Sequence, residues 1–327
     1  MNGRIRWVYI AKGIGIFLVV LGHCQITEDV LTLITTFHMP LFFFLAGYVF
    51  RPERYSSFSA FFKARVKSIL VPYAAFTLLS ILFSFSRTLL GQGMSLEMIV
   101  GDFLRGGVVE SNPPLWFLRT IFFVEVLFFL LNKIKLSDAK AVCLVYLGFA
   151  AVFLLHWDFY TRMVNGLLFY SLGYLAKRSA VFEKKAANCP PMAAISGVGF
   201  ALGFAYVSWK QYHISISSNS HLLPCLMVTH LGILFVITCS MTLRQNRVLE
   251  YLGRNSLVIL CVHVLVKDVL SVLLKLVWKL DTFMDDVSNG YALLTTLAIL
   301  VGCCAAAEFI NRFCPWILGK SRQKAIK

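Results

Sequence analysis

Long runs of apolar residues alternate along the chain with short polar loops, and this alternation predicts membrane-spanning helices. A straight span needs about 20 apolar residues, and several of the runs are shorter than that. The pairs 8–24/37–50 and 139–156/161–176 are the weakest, and we interpret them as short helices, tilted helices or helices that extend into the flanking loops. We predict an all-α polytopic bundle of ten membrane helices, over residues 8–24, 37–50, 69–90, 114–132, 139–156, 161–176, 191–209, 223–243, 255–279 and 290–312.

The composition indicates that the solvent of this chain is lipid. Hydrophobic residues make up 58% of the 327 residues and charged residues only 14%, whereas a soluble domain carries about 25% charged residues. The first apolar segment lacks a clear small-residue cleavage site, so we expect it to be retained as a helix. The chain is therefore predicted to be a multi-pass integral membrane protein.

The distribution of basic residues predicts the orientation. Cytoplasmic loops of membrane proteins are enriched in Lys and Arg, and with both termini cytoplasmic the ten spans place 22 of the 31 Lys and Arg residues inside. The net charge of +15 therefore marks inner loops and lipid headgroups, and we expect no nucleic-acid partner. The predicted outer loops hold nine of the 16 acidic residues, among them Glu28, Asp29, Asp102, Glu110, Asp158, Asp281, Asp285 and Asp286.

One integral membrane domain is predicted over residues 1–327. Segment 51–68 is basic and aromatic, which is typical of an amphipathic helix on the cytoplasmic membrane surface, and 313–327 is expected to form a basic cytoplasmic tail. The nine cysteines are scattered and show no C-x-x-C spacing. We interpret them as small packing residues, and we expect neither disulfides nor a metal site.

Titratable residues inside apolar segments are the first candidates for chemistry, because charge is costly in a membrane. Lys12 and His23 are eleven residues apart, which puts them on one helix face about 16 Å apart along the axis. Such a face is expected to line a polar cavity. Lys12 is either a fixed cation for a phosphate or carbonyl or a lysine that snorkels to the inner headgroups. His23 is either a general base or an interfacial anchor of the helix end.

His38 is the second candidate histidine. Pro40 suits the first turn of a helix, so His38 is predicted to open the second span. Helix N-termini disfavour the imidazolium form, which favours a neutral, proton-accepting ring. His23 and His38 are then expected at the same membrane face.

Two further groups of residues have both a simple and a functional interpretation. Lys63, Arg65 and Lys67 either signal topology or bind a polyanionic donor such as the phosphates of CoA, since Arg contacts phosphate bidentately. Arg119 either faces the acceptor or pairs with Glu125, although six residues of separation put the two on different faces. Possible acceptor-binding or cavity-lining residues are Trp116, Arg119, Glu125 and His263, the last sharing a helix face with Lys267.

Five segments of the chain carry a resemblance to a known family. They are Lys12–His23, FHMPLFFFLAGYVF (37–50), KSILVPY (67–73), PLWFLRTIFFVEVLFFL (114–130) and LGRNSLVILCVHVL (252–265). Together they resemble the acyltransferase-3 membrane family, with the closest likeness to its fucose 4-O-acetylase-like branch. The resemblance implies about ten spans and O-acetyl transfer from acetyl-CoA to a sugar hydroxyl of a surface polysaccharide or glycolipid, in the bacterial inner membrane, with glycan-biosynthesis proteins as possible partners. The basic-x10-His element of the family corresponds to Lys12 and His23, whereas its R-x-x-R element is absent and Arg65-Val-Lys67 is the nearest match.

These residues lead to a working hypothesis for the reaction. Acetyl-CoA docks from the cytoplasm against Arg65 and Lys67, and its pantetheine arm passes Lys12. His23 deprotonates the sugar hydroxyl or is itself acetylated, and His38 orients His23 or the acceptor. Two alternatives stay open at this point: a polysaccharide or small-molecule transporter, because polar groups in a membrane cavity suit it equally well, and a membrane receptor without turnover.

Overall fold

The computed structural model describes residues 3–89, 112–133, 140, 147–148, 158–179, 190–210, 222–278 and 288–320. These residues form helices joined by short turns, and none of them lies in a β-strand. The short turns are 3-10 helices at Pro52–Arg54, Pro113–Leu115 and Pro315–Leu318. The α-helices are α1 (Gly3–Gly22), α2 (Glu28–Val49), α3 (Phe58–Arg65), α4 (Val71–Leu89), α5 (Trp116–Asn132), α6 (Asp158–Arg178), α7 (Pro190–Trp209), α8 (Leu222–Thr242), α9 (Arg247–Arg254), α10 (Ser256–Trp278) and α11 (Asn289–Phe313).

The helical fold class is confirmed for the described residues. Each predicted span overlaps one of these helices except 139–156, which falls almost entirely outside the described residues. The count of ten spans and the cytoplasmic termini stay predictions. Within the described part of the chain, seven helical segments are long and apolar enough to cross a membrane, namely Glu28–Val49, Phe58–Arg87, Pro113–Asn132, Pro190–Trp209, Leu223–Thr242, Ser256–Leu274 and Asn289–Phe313.

The predicted start of the second span is wrong. Helix α2 begins at Glu28, so His38 lies in its middle and Pro40 is inside the helix. The structural start has Thr27 in extended conformation at the N-cap and Glu28 and Asp29 in the first turn, where acidic residues complement the helix dipole. The N-terminal argument for a neutral His38 ring therefore does not apply.

Proline inside α2 is accommodated by a neighbouring helix. Pro40 has no N–H, so the carbonyl of Thr36, four residues earlier, lacks its usual helical donor. The Thr229 hydroxyl of α8 donates to that carbonyl at 3.0 Å. Hydroxyl groups of adjacent helices commonly satisfy backbone groups freed by proline in membrane proteins.

The described residues divide into two compact units. The first unit comprises Met1–Gly22, Ile26–Arg54 and Phe123–Arg254. The second unit comprises His23–Gln25, Tyr55–Phe122 and Asn255–Lys327.

In the first unit, glycines allow helix backbones to touch. A Cβ on Gly47 of α2 would overlap the backbone of Tyr170, and a Cβ on Gly173 of α6 would overlap the backbone of Phe44. Small residues at such crossings are typical of membrane helix packing. Helices α2 and α6 are therefore fixed against each other by backbone contact, and α1 meets α9 in the same way.

In the second unit, α3 and α4 form one continuous helical stretch interrupted by a π-helical turn at Val66–Leu70. The turn is identified by the Val71 N–H, which donates to the carbonyl of Val66, five residues earlier. The backbone of Gly319, which has φ +66°, packs against Lys67 of the same turn. The placement of 51–68 on the membrane surface stays a prediction.

Candidate functional site

The second unit brings His23 next to a histidine that is 240 positions away in the chain. Helix α1 ends at Gly22, so His23 directly follows its last residue, and its side chain is exposed on the unit. The centroid of its ring lies 5.0 Å from that of His263 on α10, with the two planes inclined by 36°. The structure therefore brings together His23, the predicted base, and His263, a predicted cavity-lining residue, for which the sequence predicts no contact.

The hydrogen bonds of His263 define its tautomer. Its Nδ1 lies 3.0 Å from the carbonyl oxygens of both Ile259 and Leu260. A carbonyl oxygen only accepts, so Nδ1 carries the proton, and Nε2 of the neutral ring is left with a lone pair. His263 is 1% exposed, and its Nε2 has no hydrogen-bond partner among the described residues.

Two contacts hold the short segment that carries His23. Lys267, one turn beyond His263 on α10, donates from Nζ to the backbone carbonyl of His23 at 2.6 Å. The next residue, Cys24, is buried and accepts a hydrogen bond from the Thr296 hydroxyl at 3.3 Å. The backbone of His23 is thus attached to α10 and the side chain of Cys24 to α11, while His23 itself is an exposed residue.

A second group of buried polar atoms lies where α4, the Pro113–Leu115 turn and α10 meet. Asn112 is fully buried, and its Nδ2 donates to the Ser80 hydroxyl at 3.0 Å and to the carbonyl of Cys261 at 2.8 Å. Its Oδ1 has no partner among the described residues, and neither has the hydroxyl of Thr77, three residues before Ser80. Asn112 therefore joins α4 to α10 two residues before His263.

In the first unit, Lys12 interacts electrostatically with the carboxylate of Glu125. Lys12 is half-buried on α1, and Glu125 is 6% exposed on α5. An acidic group this deep in an apolar helix needs compensation, and the positive charge of Lys12 contributes to it. Neither interpretation of Lys12 from the sequence includes this partner.

The remaining predicted histidine belongs to the other unit. His38 is half-buried in the first unit, and its Nδ1 lies 2.8 Å from the carbonyl of Ile34. Because His23 belongs to the second unit, the expected cooperation of the two rings stays a prediction.

Of the predicted donor-binding residues, Lys63 and Arg65 precede the π-helical turn and Lys67 lies within it. The guanidinium of Arg65 donates to the Tyr55 hydroxyl at 2.5 Å, and its carbon lies 5.7 Å from the Tyr55 ring centroid and 5.9 Å from that of Phe61. Lys63 and Lys67 are exposed. Arg65 is thus fixed against two aromatic rings, while the two lysines are available to an anion.

The predicted acceptor-side residues of α5 lie in its first turn. Trp116 is half-buried and makes an edge contact with Phe117 at 6.1 Å between ring centroids. Arg119 is also half-buried. Both belong to the second unit, whereas Glu125 of the same helix belongs to the first.

Sequence reasoning missed the His23–His263 pair and Asn112. A long-range pair leaves no spacing signal in a single sequence. Asn112 precedes two prolines, which is typical of an ordinary turn, so only the structure reveals that its side chain is buried.

The described helices are typical of a multi-pass membrane protein, and an imidazole of one exposed residue lies beside a buried one. The chain matches the model of the acyltransferase-3 family, described as an acyltransferase domain, over residues 5–308. It therefore belongs to that family of membrane acyltransferases. No curated protein and no solved structure matches the chain significantly.

Proposed function

We propose that the protein transfers an acetyl group from cytoplasmic acetyl-CoA to a sugar hydroxyl of a surface polysaccharide or glycolipid. Family membership supports the acyl transfer. The observation that carries the site is the exposed imidazole of His23 beside the buried ring of His263. The acetyl donor and the sugar acceptor come from the resemblance of the sequence to the fucose 4-O-acetylase-like branch.

The proposed reaction begins with proton removal from the sugar hydroxyl. His23 takes this proton as the oxygen attacks the thioester carbonyl, so that the new C–O bond forms. The C–S bond then breaks, and the leaving thiolate receives the proton from His23. The products are the acetyl ester and CoA, and His23 returns to its neutral form.

The donor is proposed to enter from the cytoplasmic side. Lys63 and Lys67 are exposed on either side of Arg65, so they can bind the phosphates of CoA as point charges. This route requires cytoplasmic termini and the ten-span topology, here in the bacterial inner membrane. The described residues offer no observation that favours a transporter.

The test is acetyl transfer by the full chain purified in detergent and returned to lipid vesicles. Release of CoA from radiolabelled acetyl-CoA is measured with and without a glycan acceptor, for the wild type and for His23→Ala. General-base loss predicts that the rate falls by about 10²–10⁴-fold. The matched control is His230→Ala, because His230 lies on α8 in the first unit, and this variant should keep the wild-type rate.

Two results would contradict the proposal. Wild-type protein that neither transfers nor hydrolyses acetyl-CoA would exclude the acetyltransferase. An unchanged rate in His23→Ala would exclude His23 as the base.

In cells, loss of O-acetyl groups from the surface glycan of a deletion strain would identify the acceptor.

A further inference from the structure

We infer that His263 is a positioning residue that acts through His23: the lone pair on its Nε2 accepts a hydrogen bond from the His23 ring. This inference rests on the proposed function, because it gives His23 a partner in acyl transfer. His23 then presents its other ring nitrogen to the acceptor hydroxyl. The two histidines thus divide the task between an exposed base and a buried acceptor.

A helix histidine bonded to its own backbone is by itself unremarkable in this protein. His38 and His230 also place Nδ1 near the carbonyl four residues earlier, at 2.8 Å and 2.6 Å. The bond of His263 to Ile259 therefore carries no functional meaning alone. What it provides is a fixed tautomer, which makes Nε2 an acceptor.

Depth and neighbourhood distinguish His263 from these two rings. His38 and His230 are half-buried, whereas His263 is 1% exposed. Leaving a buried acceptor without a donor is costly, and Nε2 of His263 has none among the described residues. With the centroids 5.0 Å apart, a rotation of the His23 ring brings an N–H within hydrogen-bond reach of this lone pair.

The charged residues near His23 and His263 explain why a neutral hydrogen-bond acceptor on His263 would help His23 to act as a base. The Lys267 ammonium is bonded to the His23 carbonyl, so it opposes the positive charge that His23 gains as a base. Asp268, the nearest acidic group along α10, is already engaged with Arg87 at 3.0 Å. A neutral acceptor on His263 stabilises the imidazolium of His23 without adding a charge to a buried position.

The proton balance is simple. His23 receives the hydroxyl proton on one nitrogen while the N–H on its other nitrogen donates to His263 Nε2. No proton needs to move to His263, which keeps its Nδ1–H bond to Ile259 and Leu260. When the thiolate leaves, His23 returns the proton and both rings are neutral again.

Three variants of the full chain in lipid vesicles test the inference. In His263→Asn the side-chain amide can still donate to the backbone carbonyls but has no atom at the position of Nε2. In His263→Gln an amide reaches that position. His230→Asn is the matched control, because it makes the same change at a ring bonded to the carbonyl of Leu226.

The expected result is a selective loss of kcat. Removing a hydrogen bond to a charged group predicts a kcat about 10- to 100-fold lower in His263→Asn, with KM for acetyl-CoA unchanged. His263→Gln should recover part of the loss, and His230→Asn should match the wild type. A wild-type kcat in His263→Asn would overturn the inference. It would also be overturned if kcat fell equally in His263→Asn and His263→Gln and the fall matched a loss of thermal stability in both variants.

A second measurement does not depend on turnover. Nitrogen-15 NMR of histidine-labelled protein in detergent should show His263 protonated on Nδ1, with an Nε2 resonance that shifts in His23→Ala and not in His230→Ala. An unshifted resonance, or a proton on Nε2, would overturn the inference. If the wild type fails to transfer acetyl groups, the proposed function fails, and this spectrum still decides whether the two rings are coupled.

Discussion

The two units of the protein use buried polar groups differently. In the first unit, the buried carboxylate of Glu125 interacts with Lys12, and the carbonyl freed by Pro40 accepts from Thr229. In the second unit, acceptor atoms of Asn112 and His263 are buried without a partner among the described residues. The contrast lies in these particular groups, because buried polar atoms without a hydrogen-bond partner among the described residues occur in both units.

The largest effect on stability is expected from breaking the Lys12–Glu125 interaction. Lys12→Met removes a positive charge that acts on the buried Glu125 carboxylate, which predicts a loss of about 3 kcal/mol in the free energy of unfolding, at the upper end of ordinary single substitutions. The double variant Lys12→Met/Glu125→Gln should recover much of it. Unfolding in mixed detergent–SDS micelles measures both, with Lys133→Met as the control at an exposed lysine. Equal losses in the single and double variants would show that the interaction does not stabilise the first unit.

The next effect concerns the α2–α6 contact of the first unit. In Gly47→Ala the added Cβ would overlap the backbone of Tyr170, and overpacking of this kind typically costs about 1–3 kcal/mol. Gly199→Ala on α7 is the control, because its Cβ would make only an ordinary contact with Leu231. Thermal unfolding of both variants in detergent compares them. A Gly47→Ala variant as stable as Gly199→Ala would exclude a tight α2–α6 contact.

A similar or smaller effect is expected at Asn112 in the second unit. Asn112→Ala removes the bonds to Ser80 and to the Cys261 carbonyl, which predicts a loss of about 1–3 kcal/mol. Ser86→Ala is the control, since this exposed hydroxyl bonds only to its own helix. The same unfolding assay applies, and an Asn112→Ala variant as stable as the control would show that Asn112 does not hold α4 to α10.

The smallest effect is expected for the Arg87–Asp268 ion pair. Its side chains are 36% and 28% exposed, and pairs this accessible contribute about 0.2–1 kcal/mol. A double-mutant cycle with Arg87→Gln and Asp268→Asn measures the coupling, which should fall as salt is added. A coupling free energy above this range that does not change with salt concentration would show that the ion pair is shielded from solvent.

Much of the fold could be predicted from the sequence because membrane helices are specified locally. The apolar run of 114–132 coincides with α5 and that of 191–209 with α7, since length and hydropathy suffice to define such helices. The start of α2 could not be found in this way. Its first turns are polar, and the proline in its middle is tolerated only because Thr229 of another helix supplies a donor.

The candidate site was only partly predictable for the same reason. His23 and His263 each stand out as titratable residues in apolar segments, but their contact depends on how α10 packs. Lys12 was recognised as costly, whereas its interaction with Glu125 joins α1 to α5 and leaves no pattern in the sequence. Local chemistry therefore identified the individual residues, and tertiary packing determined their partners.

The π-helical turn at Val66–Leu70 works as a one-residue insertion in an otherwise continuous helix. One extra residue rotates everything before it by about 100° relative to an uninterrupted α-helix. Lys63 and Arg65 therefore point in a different direction from the one they would take if α4 continued backwards as an uninterrupted α-helix. Deleting Ser68 would restore the α-helical register and turn these side chains away while leaving every basic residue in the chain. The direction in which Lys63 and Arg65 point therefore depends on the helical register, and not only on which basic residues the segment contains.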